Sequence, residues 1–175
     1  MNKNDIRISD NIFTKLPTIF NGKHITVDRG LYCTTQLHIG SYVHIGPNVT
    51  IIGGKDSKLI LEDFSAIAAG SVIICGSDDY TSGGLLNPTV PIKYRDVILT
   101  TITFEKYSCC GVNCSIFPGV TISEGSVIGA GSVISKTTTD WGIYFGNPAR
   151  LIGRRPKEIV LEHVKNLLEE RGEVL

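Results

Sequence analysis

The run Cys110-Gly-Val-Asn-Cys-Ser-Ile116-Phe-Pro-Gly-Val-Thr-Ile122-Ser-Glu-Gly-Ser-Val-Ile128-Gly-Ala-Gly-Ser-Val-Ile134-Ser-Lys136 decides the fold. A small or aliphatic residue returns at every sixth position: Cys110, Ile116, Ile122, Ile128 and Ile134. Four places after most of these comes a small or β-branched residue, at Cys114, Val120, Ser126 and Ser132. A period of six is neither the roughly 3.6 of a helix nor the alternation of a plain strand. It fits short strands joined by tight turns, with one residue per strand pointing inward and a small one at each corner. Three such strands close a triangular coil of about 18 residues, and stacked coils give a parallel β-helix whose core is shared between neighbours. A β-sandwich would place its turns about 8 to 12 residues apart, which this frame does not do.

The frame runs backward through Phe104 and Ile98. Earlier it reappears as Leu61, Ile67 and Ile73, and before that as Val27, Cys33, Ile39, Ile45 and Ile51. The pattern predicts an all-β solenoid of about five coils over 27–139. Residues 1–26 form a lead-in with one short apolar segment from Ile12 to Phe20. Two breaks interrupt the rhythm, and breaks in a solenoid map to loops on one face. The shorter contains Gly53 and Gly54. The longer, residues 75–97, holds Asp78, Asp79, Tyr80 and the Gly83-Gly84 pair; a loop of that length in a compact domain is usually functional. After Thr139 the rhythm stops. Pro156 followed by Lys157, Leu161, Val164 and Leu168 predicts a helix with one packed face, so 140–175 reads as a turn and a capping helix of the same single domain.

Composition narrows the function classes. The 175 residues carry 17 basic and 17 acidic side chains, with 19% charged and 42% hydrophobic residues, which excludes a disordered chain. Balanced charge argues against nucleic acid as a partner, because binding phosphates needs a basic surplus. No apolar run reaches a membrane-spanning length, and the N-terminus is too polar for a secretory signal, so a cytoplasmic location is expected. Five cysteines (Cys33, Cys75, Cys109, Cys110, Cys114) are an odd number without a C-x-x-C pair; they read as small core residues rather than disulfides. No histidine, cysteine or carboxylate set has metal-ligand spacing, so no metal is expected.

The segment Ile122 to Lys136, followed by Trp141-Gly-Ile-Tyr-Phe-Gly-Asn-Pro-Ala-Arg150 and the basic pair Arg154-Arg155, resembles the C-terminal signature of the hexapeptide-repeat acyltransferases. The run Ile39-Gly-Ser-Tyr-Val-His-Ile-Gly-Pro-Asn48 is similar to the bacterial sugar acetyltransferases of surface-polysaccharide pathways, lipopolysaccharide among them. The resemblance covers about residues 27 to 155. It implies a left-handed coil, a homotrimer with sites in the clefts between subunits, and acetyl-CoA as co-substrate donating to a hydroxyl or amine of a sugar.

Acyl transfer needs the acceptor to lose a proton as it attacks the thioester, and a neutral histidine is the usual base. His163 falls on the terminal helix and His24 precedes the clear repeat. His38 and His44 remain, each one place before an inward isoleucine and so facing outward. Relatives of this family often carry a histidine in the long loop beside an aspartate; here the loop has Asp78 and Asp79 but no histidine, and the position nine before His44 is Thr35. The resemblance matches His44 to the histidine near the thioester, leaving three options: His44 as base, His38 with Asp78 as base, or an amine that arrives deprotonated. Asp79 and Tyr80 are candidates for acceptor binding, although Ser-Asp-Asp is also ordinary turn chemistry. For the donor, Gly129, Ala130 and Ser132 would line the pantetheine arm, Asn147 and Pro148 would form the adenine-side turn, and Lys136, Arg150, Arg154 and Arg155 would meet the phosphates. Two other readings compete with a sugar acetyltransferase: transfer to another small acceptor such as an antibiotic, and a β-helix without enzymatic activity.

Overall fold

The computed structural model describes residues 5–174; Met1 to Asn4 of the lead-in and Leu175 of the tail lie outside them. The chain winds into a triangular prism of three parallel sheets. On the first face, strands Ile6–Ile8, Ile25–Val27, His44–Ile45, Ala66–Ile67, Cys109–Cys110, Val127–Ile128 and Gly142–Gly146 stack in that order. The second face stacks six strands, from Phe13–Thr14 to Val133–Ile134, and the third stacks five, from Thr18–Phe20 to Thr121–Ile122. The solenoid therefore has about seven turns rather than five. The lead-in supplies one added turn, its strands pairing in parallel with the coil above, Ile8 opposite Val27, Thr14 opposite Cys33 and Phe20 opposite Ile39, and Gly142–Gly146 begins the last one beyond residue 139. Ile8, Thr14 and Phe20 keep the six-residue frame, but the polar Thr14 and the open end of the prism blur its hydrophobic signal.

Inside, one residue per strand fills the prism, and Ile39, Ile45, Ile51, Ile67, Ile73, Ile116 and Ile122 are wholly buried. Cys33, Cys75, Cys110 and Cys114 sit in the same core, and every cysteine is free. Burial pushes the Cys75 thiol up to about 12 and raises that of Cys33, since a thiolate there would lose its hydration. These thiols act as packing.

The corner between the third and first faces carries His24, Tyr42, Phe64, Tyr107 and Trp141, all with φ between 58° and 63°. A left-handed conformation costs a bulky residue about 1–2 kcal/mol. Stacking offsets part of it, because the rings form one ladder with centroids 4.6, 4.6, 5.6 and 6.0 Å apart,. Gly125 takes this corner between Tyr107 and Trp141; a Cβ there would lie 2.4 Å from the Trp141 ring. The helix Lys157–Arg171 lies along the ladder, with Val160, Val164 and Leu167 facing Phe64 and Tyr107 across a groove. Its C-terminus reaches the early coils, where Glu173 accepts hydrogen bonds from Tyr42 Oη at 2.7 Å and His24 Nε2 at 3.0 Å and pairs with Lys23 at 3.1 Å.

The longer break is a structured excursion. Strands Gly76–Asp78 and Val97–Leu99 pair antiparallel at its base, and a short 3-10 turn, Ile92–Tyr94, lies near its return. A second antiparallel pair, Gly142–Gly146 with Ala149–Arg154, ends the solenoid through a turn containing a cis Asn147–Pro148 bond.

Candidate active site

The parallel register of the first face sets His44 between Thr26 and Ala66 on adjacent rungs. His44 precedes inward Ile45, so its ring stands outside the prism between two small neighbours, and its side chain is 51% exposed. Asp28 follows inward Val27 on the coil before and also faces out. Its Oδ2 lies 2.9 Å from His44 Nε2. The carboxylate fixes the tautomer: Nε2–H donates to Asp28, and the lone pair of Nδ1 is left for a proton from outside. Sequence reasoning found His44 and missed Asp28.

His38 stands on the third face between Ile19 and Ile60. Partial burial, then the charge of Lys58, holds its proton affinity below that of an ordinary histidine. It lines a 190 Å³ cavity with Asn21, Glu62, Asp63 and Lys106, and no carboxylate orients its ring among the described residues.

Asp78 serves the excursion. Its Oδ1 accepts from Arg95 Nη2 at 2.7 Å and its Oδ2 from the Asn87 backbone N–H at 2.8 Å. The Asn87 N–H, then Arg95, hold this carboxyl below the usual carboxylate range. Asp79 Oδ1 accepts the N–H and the hydroxyl of Thr81, at 2.8 and 2.7 Å. Tyr80 is exposed and accepts from Ser77 Oγ at 2.9 Å. These three residues line a 120 Å³ cavity with Ile74, Ile98, Phe117 and Pro118. The pairing of His38 with Asp78 does not form within one chain, because the two line separate cavities. Of the expected catalytic set, only His44 has a partner suited to proton transfer.

At the C-terminal end, Lys136, Pro148 and Arg150 line a 460 Å³ cavity with Ser135, Thr137, Tyr144 and Leu151. This is the cationic corner that the sequence places for coenzyme A phosphates. The other expected donor residues separate from it. Phe145 packs on Gly129, where a Cβ would lie 2.3 Å from its ring, and Ala130 is exposed at a turn one coil below. Ser132 is fully buried, donating to Gly129 O at 2.6 Å and accepting from the Gly146 N–H at 3.1 Å, so its hydroxyl is satisfied within the fold. Asn147 is exposed at the hairpin turn. Arg154 donates to Asp140 O at 2.7 Å. Arg155 donates to Tyr107 O at 2.6 Å and lies 5.9 Å from the Trp141 ring; it fastens the start of the helix to the ladder and is no part of the cavity.

Among the described residues, no cluster of three or more histidine, cysteine or acidic side chains could hold a metal ion, and no helix is long and apolar enough to cross a membrane.

No protein-family model matches the chain. It is 29% identical over 163 residues to a dTDP-4-amino-4,6-dideoxy-D-glucose acyltransferase of Escherichia coli, covering 89% of this chain and 82% of that protein. It is 30% identical over 127 residues to a probable macrolide acetyltransferase of Lysinibacillus sphaericus, covering 63% of this chain and 67% of that one. Among solved structures, the N-acyltransferase AntD from Bacillus cereus, in complex with dTDP and 3-hydroxybutyryl-CoA, superposes with a TM-score of 0.83 at 28% identity, covering 95% of this chain and 88% of AntD. A mutant of AntD has been solved with dTDP-4-amino-4,6-dideoxyglucose and coenzyme A. The shared β-helix and these likenesses define an acyltransferase. The chain belongs to the hexapeptide-repeat acyltransferases.

Proposed function

We propose that this protein transfers an acyl group from acyl-coenzyme A to the amino group of a nucleotide-linked sugar, in the cytoplasm and as a precursor step for a surface polysaccharide. The reading rests most heavily on one contact, Asp28 to His44 at 2.9 Å, which leaves an oriented nitrogen ready to take a proton. Likeness over nearly the whole chain to AntD, solved with dTDP-4-amino-4,6-dideoxyglucose and coenzyme A, and to an acyltransferase of that amino sugar supports an amine over a hydroxyl acceptor. In the reaction the amine nitrogen attacks the thioester carbonyl, the C–N bond forms and the C–S bond breaks. The amine proton passes to His44 Nδ1 and from there to the departing coenzyme A thiolate, which leaves as the free thiol and returns the imidazole to its neutral form.

The donor phosphates would meet Lys136 and Arg150, and Asp79 and Tyr80 on the excursion would reach an acceptor held across a subunit boundary. A homotrimer fits the exposed apolar side chains of the excursion, Leu85, Leu86, Ile92 and Tyr94, each about half exposed or more, which a lone chain would leave in water. Light scattering should give three chains; the mass of one would remove the shared site.

The direct test offers dTDP-4-amino-4,6-dideoxyglucose with acetyl-CoA or 3-hydroxybutyryl-CoA, following free thiol and the mass of the sugar nucleotide. Release of coenzyme A with a mass gain of one acyl group is expected. Turnover of hydroxyl acceptors with none of amino sugars would overturn the reading.

A further inference from the structure

The second face carries an aromatic pair that neither the core nor the helix uses. Phe13 and Tyr32 are neighbours on adjacent rungs, with ring centroids 5.1 Å apart and planes 14° from parallel. They are 49% and 46% exposed, whereas the rings of the ladder are sheltered by the helix. The next residue in this column is Thr50, whose small side chain leaves the upper face of the Tyr32 ring open. Rungs repeat at about 4.8 Å, so a flat ring above Thr50 would continue the stack. The coil that carries Tyr32 also carries Asp28 and, in the turn between the first and second faces, Arg29. The Arg29 side chain is exposed and forms no ion pair among the described residues. Aromatic stack, guanidinium and His44–Asp28 pair thus follow one another around a single corner.

We infer that this corner binds the nucleoside diphosphate of the acceptor, the base stacking on Tyr32 and Phe13 and the phosphates meeting Arg29, so that the sugar amine is delivered to His44. The inference rests on the nucleotide-linked acceptor proposed above. Coenzyme A offers the same chemistry through its adenosine diphosphate. The corner is assigned to the acceptor because the Lys136 and Arg150 cavity lies four rungs away along the prism, about 19 Å.

Calorimetry with dTDP and, separately, coenzyme A distinguishes the sources. Tyr32→Ala should weaken dTDP binding by about 5- to 100-fold, the range of base–aromatic stacking, with Tyr32→Phe retaining it and coenzyme A affinity unchanged in both. Arg29→Gln should weaken dTDP by about tenfold and flatten its salt dependence. Wild-type affinity for dTDP in Tyr32→Ala, with a native thermal midpoint, overturns the platform and leaves the proposed reaction standing. Loss of coenzyme A affinity instead assigns the corner to the donor and also overturns it. If the wild-type protein binds neither dTDP nor UDP, the platform and the nucleotide-linked acceptor fall together.

Discussion

Replacing Asp28 by asparagine keeps the shape beside His44 and removes a charge. The two side chains are 51% and 35% exposed, so water screens their attraction and the contact contributes under about 1 kcal/mol to folding. The thermal midpoint should hardly move. Transfer is another matter. When Nδ1 takes the amine proton, the imidazole becomes a cation against the carboxylate. A hydrogen bond to a charged partner is worth about 1.5–3 kcal/mol, against about 0.5–1.5 for a neutral one. The difference of about 1–1.5 kcal/mol corresponds to roughly a tenfold fall in kcat. His44→Ala removes the acceptor of the proton and should cut kcat by about a hundredfold or more. Both are read from free coenzyme A released at saturating donor and acceptor. A kcat for Asp28→Asn within about twofold of wild type, beside a large loss in His44→Ala, refutes the orienting role. Near-native rates in both refute a protein base and leave an amine that arrives deprotonated.

Three other outcomes follow from the geometry. Lys136→Ala with Arg150→Ala should weaken coenzyme A at least about tenfold by calorimetry, through loss of charge-assisted contacts, whereas Arg155→Ala should lower the thermal midpoint and spare coenzyme A; unchanged affinity in the double variant moves the donor site. The Tyr42 hydroxyl, then His24, depress the Glu173 carboxyl from the ordinary 4.5 to about 2. Its grip on the early coils is therefore complete above about pH 4.5 and is lost as pH falls toward 2,; limited proteolysis of the helix should show release in that window, and a window unaltered in Glu173→Gln would exclude this group. Gly125→Ala should destabilise by about 2–4 kcal/mol, from left-handed backbone plus collision with Trp141. Gly131→Ala, at φ +71 with nothing near its Cβ, should cost only the backbone share; equal shifts in thermal melts would show that the ring simply moves aside.

The prism was legible because each rung needs only one inward side chain, and isoleucine or cysteine recurs there without regard to what the loops do. The excursion and the helix were legible as interruptions of that count. Contacts between coils were harder to read. Asp28 lies sixteen residues before His44, close to one coil length, and a scan for outward acids one coil away would have found it; attention to the long loop did not. Only His24 and Tyr42 keep the spacing of one coil. The two breaks fall between Tyr42 and Phe64 and between Phe64 and Tyr107, and Gly125 interrupts the rings before Trp141, so no fixed spacing betrayed the ladder. Arg155 and Ser132 looked like ligand groups because sequence gives residue type without direction, and the fold turns both toward their own backbone.

The bond between Glu173 and the trio Lys23, His24 and Tyr42 changes how this solenoid comes apart. A stack whose coils touch only their neighbours behaves as a one-dimensional chain and unravels from either end. Here the last element is fastened to the first complete coils, so the line becomes a closed circuit. Opening the N-terminal coils means lifting the helix, and lifting the helix strips the ladder across the intervening coils. Unfolding should gain cooperativity that the repeats alone do not supply: backbone amides near Thr26 and those of the helix should exchange hydrogen with matching protection, and removal of residues 157–174 should split one melting transition into a broad, graded one.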